Sequence, residues 1–495
     1  MTFRFCFIAY STYFWPSIIV FWDSKTLYKM TKPAFILTFA AYFLTPNNIQ
    51  MKFLKWLGFD PKKTTVRTEL VAGLTTFLTM SYILAVNPAM MSGIGMDGGA
   101  VFTATALSAF IATALMAFLA RVPFALAPGM GINAFFAYTL VLGMGYTWQQ
   151  ALAAVFIEGL VFIVLTVCNV REAIVNSVPK TIRYAITAGI GLFIAFIGLK
   201  TAGLVISNEA TLVSFGTWNA YSLLAFSGII LTAVLMKLRV KGAIFFSIIL
   251  IAIIGIPLGI TNIPDHFSPV SMPKSLAPTF LQFDFSKCMS LDFIVVVFSL
   301  IFMDLFDTLG TLVGVSIKGG LVKKDGTMPH LRPALLTDSI GTVAGSILGV
   351  STVSTYVESA TGIVAGGRSG LTALTTALLF LVAIFFSPIF LIIPGAATTS
   401  ALVIVGVLML ESAKNIDFTD ITESLPAFIT IIMMPLTYSI AEGIILGLLT
   451  YVVVNLLSGN HRKLSLPMYL LAAFFLLRYV VNTIGIEKVS AALGI

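Results

Sequence analysis

Ser351–Leu371 reads STVSTYVESATGIVAGGRSGL and lies between two strongly apolar runs. It is crowded with Ser, Thr and Gly and carries one acid, Glu358, near its middle. A continuous membrane helix has no need of so many small polar residues. A broken segment does, because its unwound backbone must be satisfied by protein or water rather than by lipid. A central acid costs roughly 2.5–3.5 kcal/mol on insertion scales, so Glu358 is expected to face a cavity and to serve a function. A helix cap or a surface loop is the competing reading of the same stretch.

The rest of the chain supports a membrane setting. Of 495 residues, 58% are hydrophobic and only 10% are charged, and the mean hydropathy is +1.01. A soluble core does not require that composition, whereas a polytopic all-α membrane protein does. The net charge of +8 is not a nucleic-acid signal, because the basic residues fall in short loops between apolar runs. Cys6, Cys168 and Cys288 make no disulfide framework or metal spacing. His266, His330 and His461 sit in predicted loops, so no metal site and no bound cofactor are expected.

Fourteen apolar runs of spanning length succeed one another from 69–90 to 441–458, and a further one, 465–483, either spans or lies at the interface. Residues 1–50 are aromatic-rich and unlike the remainder of the chain. They read as an atypical extension, with Met51 as the working start. With the Met51 end inside, twenty Lys and Arg residues fall on the cytoplasmic side. Only Lys200, Lys274 and Lys287 fall opposite. That bias fixes an even span number and puts both ends of 51–458 in the cytoplasm.

A shift of about 222 residues lays 67–168 over 289–390 and superposes two Gly-interrupted segments. Seven spans per half is an odd number, so the second copy must run inverted. The first repeat is then 51–260, with a core part 69–168 and a gate part 181–260. An extracytoplasmic linker comes next at 261–290. The second repeat is 291–458, with a core part 291–388 and a gate part 390–458, and 459–495 is a tail. Inverted repeats broken at equivalent places point to a transporter with a midplane site.

In the first half the broken element is PFALAPGMGINAFFAY, Pro123–Tyr138, where Pro128, Gly129 and Gly131 prevent a regular helix. A half-helix is expected to begin near Ile132 with Asn133 at its start, as cap, ligand or both. In SLIFMDLFDTLGTLVGV, Asp304 and Asp307 are three apart and share a helical face. Two carboxylates that close do not both ionise easily in a low dielectric, as a proton carrier requires. Glu158 reads equally as a packing or a ligand residue. Asp338, Glu411 and Glu442 fall near span ends, where an interfacial charge is the default. Phe135, Phe136 and Phe306 are candidates to stack on a flat ligand.

The set TELVAGLTTFLTMSYILAVNP, APGMGINAFFAY, FMDLFDTLGTLVGV, ESATGIVAGGRSGLTAL and MPLTYSIAEGI resembles the AzgA-like purine permeases of the nucleobase–ascorbate transporter superfamily, over about 55–483. The resemblance implies fourteen helices in a seven-plus-seven inverted repeat. Core and gate domains move as an elevator, and the third and tenth segments each hold a short strand. It implies a substrate site at Glu358, Asp304, Asn133, Gly129 and Gly131, to which Phe306 is added as the stacking candidate. Proton coupling falls to Asp307 with Asp304. Related uracil carriers often have a histidine one turn after the first acid, where this chain has Asp307, so the proton's carrier stays open. The expected function is proton-coupled uptake of purine bases, guanine and hypoxanthine foremost, across an inner or plasma membrane. Adenine selectivity is the alternative within the family, and anion exchange on the same architecture is the alternative outside it. The implied partners are a purine base, a proton and the lipid bilayer. No nucleic acid or enzymatic activity is expected, and a homodimer is compatible with the sequence.

Overall fold

A computed structural model of the chain describes residues 48–168, 178–265, 267–318 and 330–484. The chain divides into two units, Met1–Trp56 and Leu57–Ile495. Of the first, the helix Asn48–Trp56 is described, and the extension expected over 1–50 lies almost wholly outside the described residues.

The second unit is mostly helical. Among the described residues eight helices, from Val66–Ser92 to Ile440–Leu457, are long and apolar enough to cross a membrane. Three shorter apolar helices, Met130–Gly143, Ala243–Gly255 and Ile421–Leu436, fill further expected places. Leu291–Lys318, Leu331–Leu348 and the short Ser359–Val364 fill the rest. The arrangement is consistent with fourteen segments. The extra apolar stretch is a helix too, Leu466–Ile484. Several starts are sealed by the side chains that such starts favour. Thr65 accepts from the Thr68 N–H, Asp97 accepts from the Ala100 N–H, and Thr147 and Gln150 form a reciprocal capping box.

Two segments are broken as expected. β1 (Leu126–Pro128) precedes the Met130 half-helix, which continues as a π-helix over Phe135–Gly143. A second pair of strands, β2 (Val205–Asn208) and β3 (Leu212–Phe215), forms an exposed hairpin that hydropathy does not foreshadow. β4 (Val353–Thr355) precedes the half-helix Ser359–Val364. β1 and β4 pair antiparallel, with Leu126 opposite Thr355, Ala127 opposite Ser354 and Pro128 opposite Val353. The strands start 227 residues apart (353 less 126), slightly beyond the shift at which the halves match in sequence.

The stretch 261–290 is laced across one end of the bundle. Ser271 N–H donates to the Phe385 carbonyl, Leu281 N–H to Ile347 and Asp284 N–H to Gln149. Gly349 ends the Leu331–Leu348 helix at φ +98°, and a Cβ there would collide with Thr279 of this stretch. At the opposite end Gly370 N–H donates to the Leu57 carbonyl and Thr64 Oγ1 to the Gly366 carbonyl. The basic residues Lys62, Lys63 and Arg368 lie at that end.

Packing between helices is close where glycine allows it. Lys180–Thr201 runs along Gly395–Leu410 and Ile421–Leu436, and Val66–Met80 runs along Gly370–Ala383. Tyr438 adopts a left-handed backbone at φ +54°. Its ring is caged edge-on by Tyr138, Phe193 and Phe196, with Lys200 Nζ 4.7 Å from the ring centre. Its carbonyl accepts from Thr139 Oγ1 at 3.0 Å, so the half-helix of the third segment is tied to the turn at 437–439.

At Gly191 a Cβ would meet the Gly406 carbonyl oxygen at 2.6 Å and Met409 Cβ at 2.7 Å. Backbone cannot yield as a flexible side chain can, so the clash outweighs the helical gain of about 1 kcal/mol from replacing glycine. Gly191→Ala is expected to destabilise the protein by about 1–3 kcal/mol, read as a lowered thermal midpoint in detergent.

Candidate functional site

The site is built where the two broken segments meet. Inside an apolar bundle their unwound backbone has no water to turn to, and each supplies the other. Gly129 N–H donates to the Thr352 carbonyl and Tyr356 N–H to the Ala125 carbonyl, extending the β1–β4 ladder at both ends. Side chains from neighbouring helices take up the outward-facing groups. Thr113 Oγ1 both accepts from Leu126 N–H and donates to its carbonyl. Ser359 Oγ accepts from Ala125 N–H, and Thr342 Oγ1 donates to the Val353 carbonyl.

Around this ladder the structure gathers several of the residues singled out in the sequence. Glu358 is the cap position of the Ser359–Val364 half-helix and only 5% exposed. Its Oε1 accepts from Tyr82 Oη at 2.8 Å. Asp307, from the Leu291–Lys318 helix, accepts from Ser354 Oγ of β4 at 3.2 Å. Asp307 is thus bonded to β4, and Glu358 lies three residues beyond the end of that strand. Gly129 stands against both Ser354 and Asp307: a Cβ there would sit 2.6 Å from Ser354 Oγ and 3.7 Å from Asp307 Oδ2. Glu358, Asp307 and Gly129 are thus one constellation around β4.

The other candidates stand at its edges. Asp304 is fully buried and accepts from Thr308 Oγ1 at 2.9 Å. The same hydroxyl lies 3.1 Å from Asp338 Oδ1, so Asp304 faces a neighbouring helix while Asp307, one turn on, faces the strand. Asn133 is fully buried. Its amide oxygen accepts from Ser351 Oγ, and its nitrogen reaches the Pro128 carbonyl at 3.5 Å. It clasps the two broken segments together. A Cβ at Gly131 would lie 2.7 Å from Ile190 Cγ2, so this glycine admits the Lys180–Thr201 helix to close range. Phe135 and Phe136 are buried in the core, and the side chain of Phe306 lies outside the described residues.

One expectation is corrected. Asp338 is not an interfacial charge: it is 0% exposed, within the Leu331–Leu348 helix, opposite Thr308. The helix begins at Leu331, earlier than its hydropathy suggests, which carries Asp338 two turns inside. Glu158 accepts from Thr352 Oγ1 at 2.6 Å and so braces the residue before β4. Glu411 pairs with Lys414 at the surface, as its place near a span end suggested.

Sequence reasoning missed Tyr82, Ser354, Tyr356, Thr308 and Glu69. Glu69 is fully buried. It accepts from the backbone N–H groups of Arg368 at 3.0 Å and Ser369 at 3.3 Å and from the Thr372 hydroxyl. Its one available signal was an acid set inside a hydrophobic run. Tyr82 had the weaker signal of a hydroxyl that follows Ser81 at the head of an apolar run.

Buried paired strands, two half-helices and acids from different segments define a carrier rather than an enzyme. Comparison with known proteins gives the family. Residues 67–446 match the model of the Permease family (Xan_ur_permease). The adenine permease AdeQ of Escherichia coli K12 is 41% identical over 84% of this chain and 94% of its own length. The guanine/hypoxanthine permease PbuG of Bacillus subtilis is 43% identical over 85% of this chain and 98% of its own. Among solved structures, the transmembrane domain of the cyanobacterial bicarbonate transporter BicA superposes with a TM-score of 0.58 at 17% identity. That match covers 77% of this chain and 96% of BicA's, and it shows a shared fold. The chain belongs to this permease family, on its purine permease branch, as a multi-pass membrane transporter.

Glu69→Ala would leave the Arg368 and Ser369 N–H groups without their acceptor and deprive the Thr372 hydroxyl of its carboxylate partner. Each lost charge-assisted bond is worth about 1.5–3 kcal/mol, so a loss of at least about 3 kcal/mol is expected. Thermal unfolding in detergent measures it, with Glu411→Ala as a surface control that shifts little.

Proposed function

We propose that this chain imports purine bases, guanine and hypoxanthine first among them, together with protons. The membrane is an inner or plasma membrane, with both ends of the 51–458 region in the cytoplasm. The observation that carries this reading is the placing of two carboxylates from different segments beside the β1–β4 ladder, Asp307 bonded to Ser354 of β4 and buried Glu358 just beyond that strand. A carboxylate accepts two parallel N–H donors, the edge that guanine presents through its ring N–H and exocyclic amine. Glu358 grips that edge. Asp307 carries the exchangeable proton, relieving the repulsion of two like charges in one apolar site. Asp304 holds the Asp307 helix in register through Thr308. Asn133, Gly129 and Gly131 shape the third-segment wall, and Phe306 stacks on the ring.

Transport follows from the domain division expected in the sequence. The core parts 69–168 and 291–388 carry the site and slide against the gate parts 181–260 and 390–458, exposing the site to each side in turn. An adenine permease relative at 41% identity, beside the guanine/hypoxanthine one at 43%, keeps adenine as the competing substrate. Anion exchange, the alternative on the architecture shared with the bicarbonate transporter, fits poorly with two carboxylates beside the paired strands, which repel an anion.

Uptake of labelled guanine, hypoxanthine and adenine into cells without their own purine permeases tests the reading. Saturable guanine and hypoxanthine uptake, abolished by a protonophore, is the expected result. Uptake that survives collapse of the proton gradient removes the coupling, and uptake of none of the three removes the substrate class. Glu358→Gln is expected to lose base-induced thermal stabilisation while its ligand-free midpoint stays near the wild type. Asp307→Asn is expected to bind, with a changed dependence on pH.

A further inference from the structure

The first span is interrupted where it passes the site. The helix Val66–Met80 stops, Ser81 and Tyr82 make a turn, and Ile83–Ser92 resumes. Tyr82 is 1% exposed, and its hydroxyl donates to Glu358 Oε1 across 276 positions of sequence. It is the one side chain that donates to this carboxylate among the described residues. One turn earlier, Thr79 Oγ1 lies 2.9 Å from Thr361 Oγ1, and Thr361 Oγ1 donates to the Glu358 carbonyl at 2.7 Å. The first span thus touches the Glu358 side chain through Tyr82 and, through Thr79, the residue that bonds the Glu358 carbonyl. Tyr356 packs its ring 6.5 Å from that of Tyr82 but spends its hydroxyl on the Pro128 carbonyl.

We propose that Tyr82 is a positioning residue that sets the plane of the Glu358 carboxylate and so favours a ligand edge with two parallel N–H donors over an edge with one. The role rests on the reading that Glu358 grips the base. A carboxylate on a flexible stem turns freely about its last bond, and a ligand that needs both oxygens must stop that rotation on binding. A buried donor fixed to Oε1 stops it beforehand, so less is lost when the ligand arrives. The benefit is greatest for guanine, which uses both oxygens. It is smaller for hypoxanthine, which lacks the exocyclic amine and offers one donor on that edge.

The test measures guanine and hypoxanthine binding to purified full-length protein in detergent, for the wild type, Tyr82→Phe, Tyr82→His and Tyr356→Phe. Removing a hydrogen bond to a charged group corresponds to about a 10- to 100-fold loss, so Tyr82→Phe should weaken guanine binding by that range and hypoxanthine binding less. The guanine-to-hypoxanthine preference should therefore shrink. Tyr82→His, which keeps a ring donor, should restore part of that preference, and Tyr356→Phe should leave it unchanged. Equal weakening of both ligands in Tyr82→Phe, with a fallen thermal midpoint, would make Tyr82 a packing residue and overturn the proposal. Unchanged guanine binding would do the same. Should Tyr82→Phe not fold, folded Tyr82→His carries the test: a preference reduced from the wild type at an unchanged thermal midpoint supports the proposal, and an unchanged preference, or one lost in proportion to stability, sinks it. If the wild type binds no purine, the grip of Glu358 on a base falls first, and the role of Tyr82 falls with it.

Discussion

Everything in this protein is arranged around a solvation constraint. Backbone N–H and C=O groups that leave a helix within an apolar bundle must find partners inside the protein. Here two interrupted segments solve the problem jointly, by pairing three residues of one with three of the other. The ladder has no spare capacity, so its outer edges are finished by Thr113, Thr342 and Ser359. Small hydroxyl side chains are abundant in these spans for that reason. They are the donors and acceptors that let irregular backbone exist away from water.

The ladder also decides where charge can be held. Glu158, Glu358 and Asp307 each accept from a hydroxyl, and each sits beside β4 or the half-helix next to it. The acid at Glu69 works differently, gathering the backbone N–H groups of Arg368 and Ser369 at the start of the next span. A single carboxylate type therefore serves two ends: fastening spans together, and holding charge beside the paired strands. What separates the two is the partner. Glu69 is used up by backbone N–H groups and a threonine, whereas Glu358 meets one side-chain donor among the described residues, Tyr82.

Much of this was legible in the sequence, and the failures are instructive. Pro128, Gly129 and Gly131 announce a break because proline and glycine oppose helix wherever they fall. Ser351–Leu371 announces one through its polarity. Hydropathy placed the spans to within a few residues, since about twenty apolar positions in a row are what a bilayer crossing demands and a soluble core does not. The same averaging hid Asp338, whose helix starts earlier than its hydropathy does, and the β2–β3 hairpin, whose exposed strands carry no buried alternating face. Tyr82, Ser354 and Thr308 were unreadable for a different reason. Their importance lies in partners 276, 47 and 30 residues away, and a hydroxyl in an apolar run gives no hint of whom it will meet. Spacing told Asp304 and Asp307 apart no better: one helical turn sends the first to Thr308 and the second to β4.

The antiparallel sense of the β1–β4 ladder makes it symmetric about its own middle. Ala127 opposite Ser354 forms its centre, and the flanking pairs are exchanged by a half-turn about that point. An antiparallel pair is the arrangement in which two copies of one short strand satisfy each other equally. As backbone the two strands are therefore interchangeable, and what tells one side of the ladder from the other is carried by side chains alone: Gly129 follows β1, whereas Ser354 lies within β4 and Glu358 just beyond it.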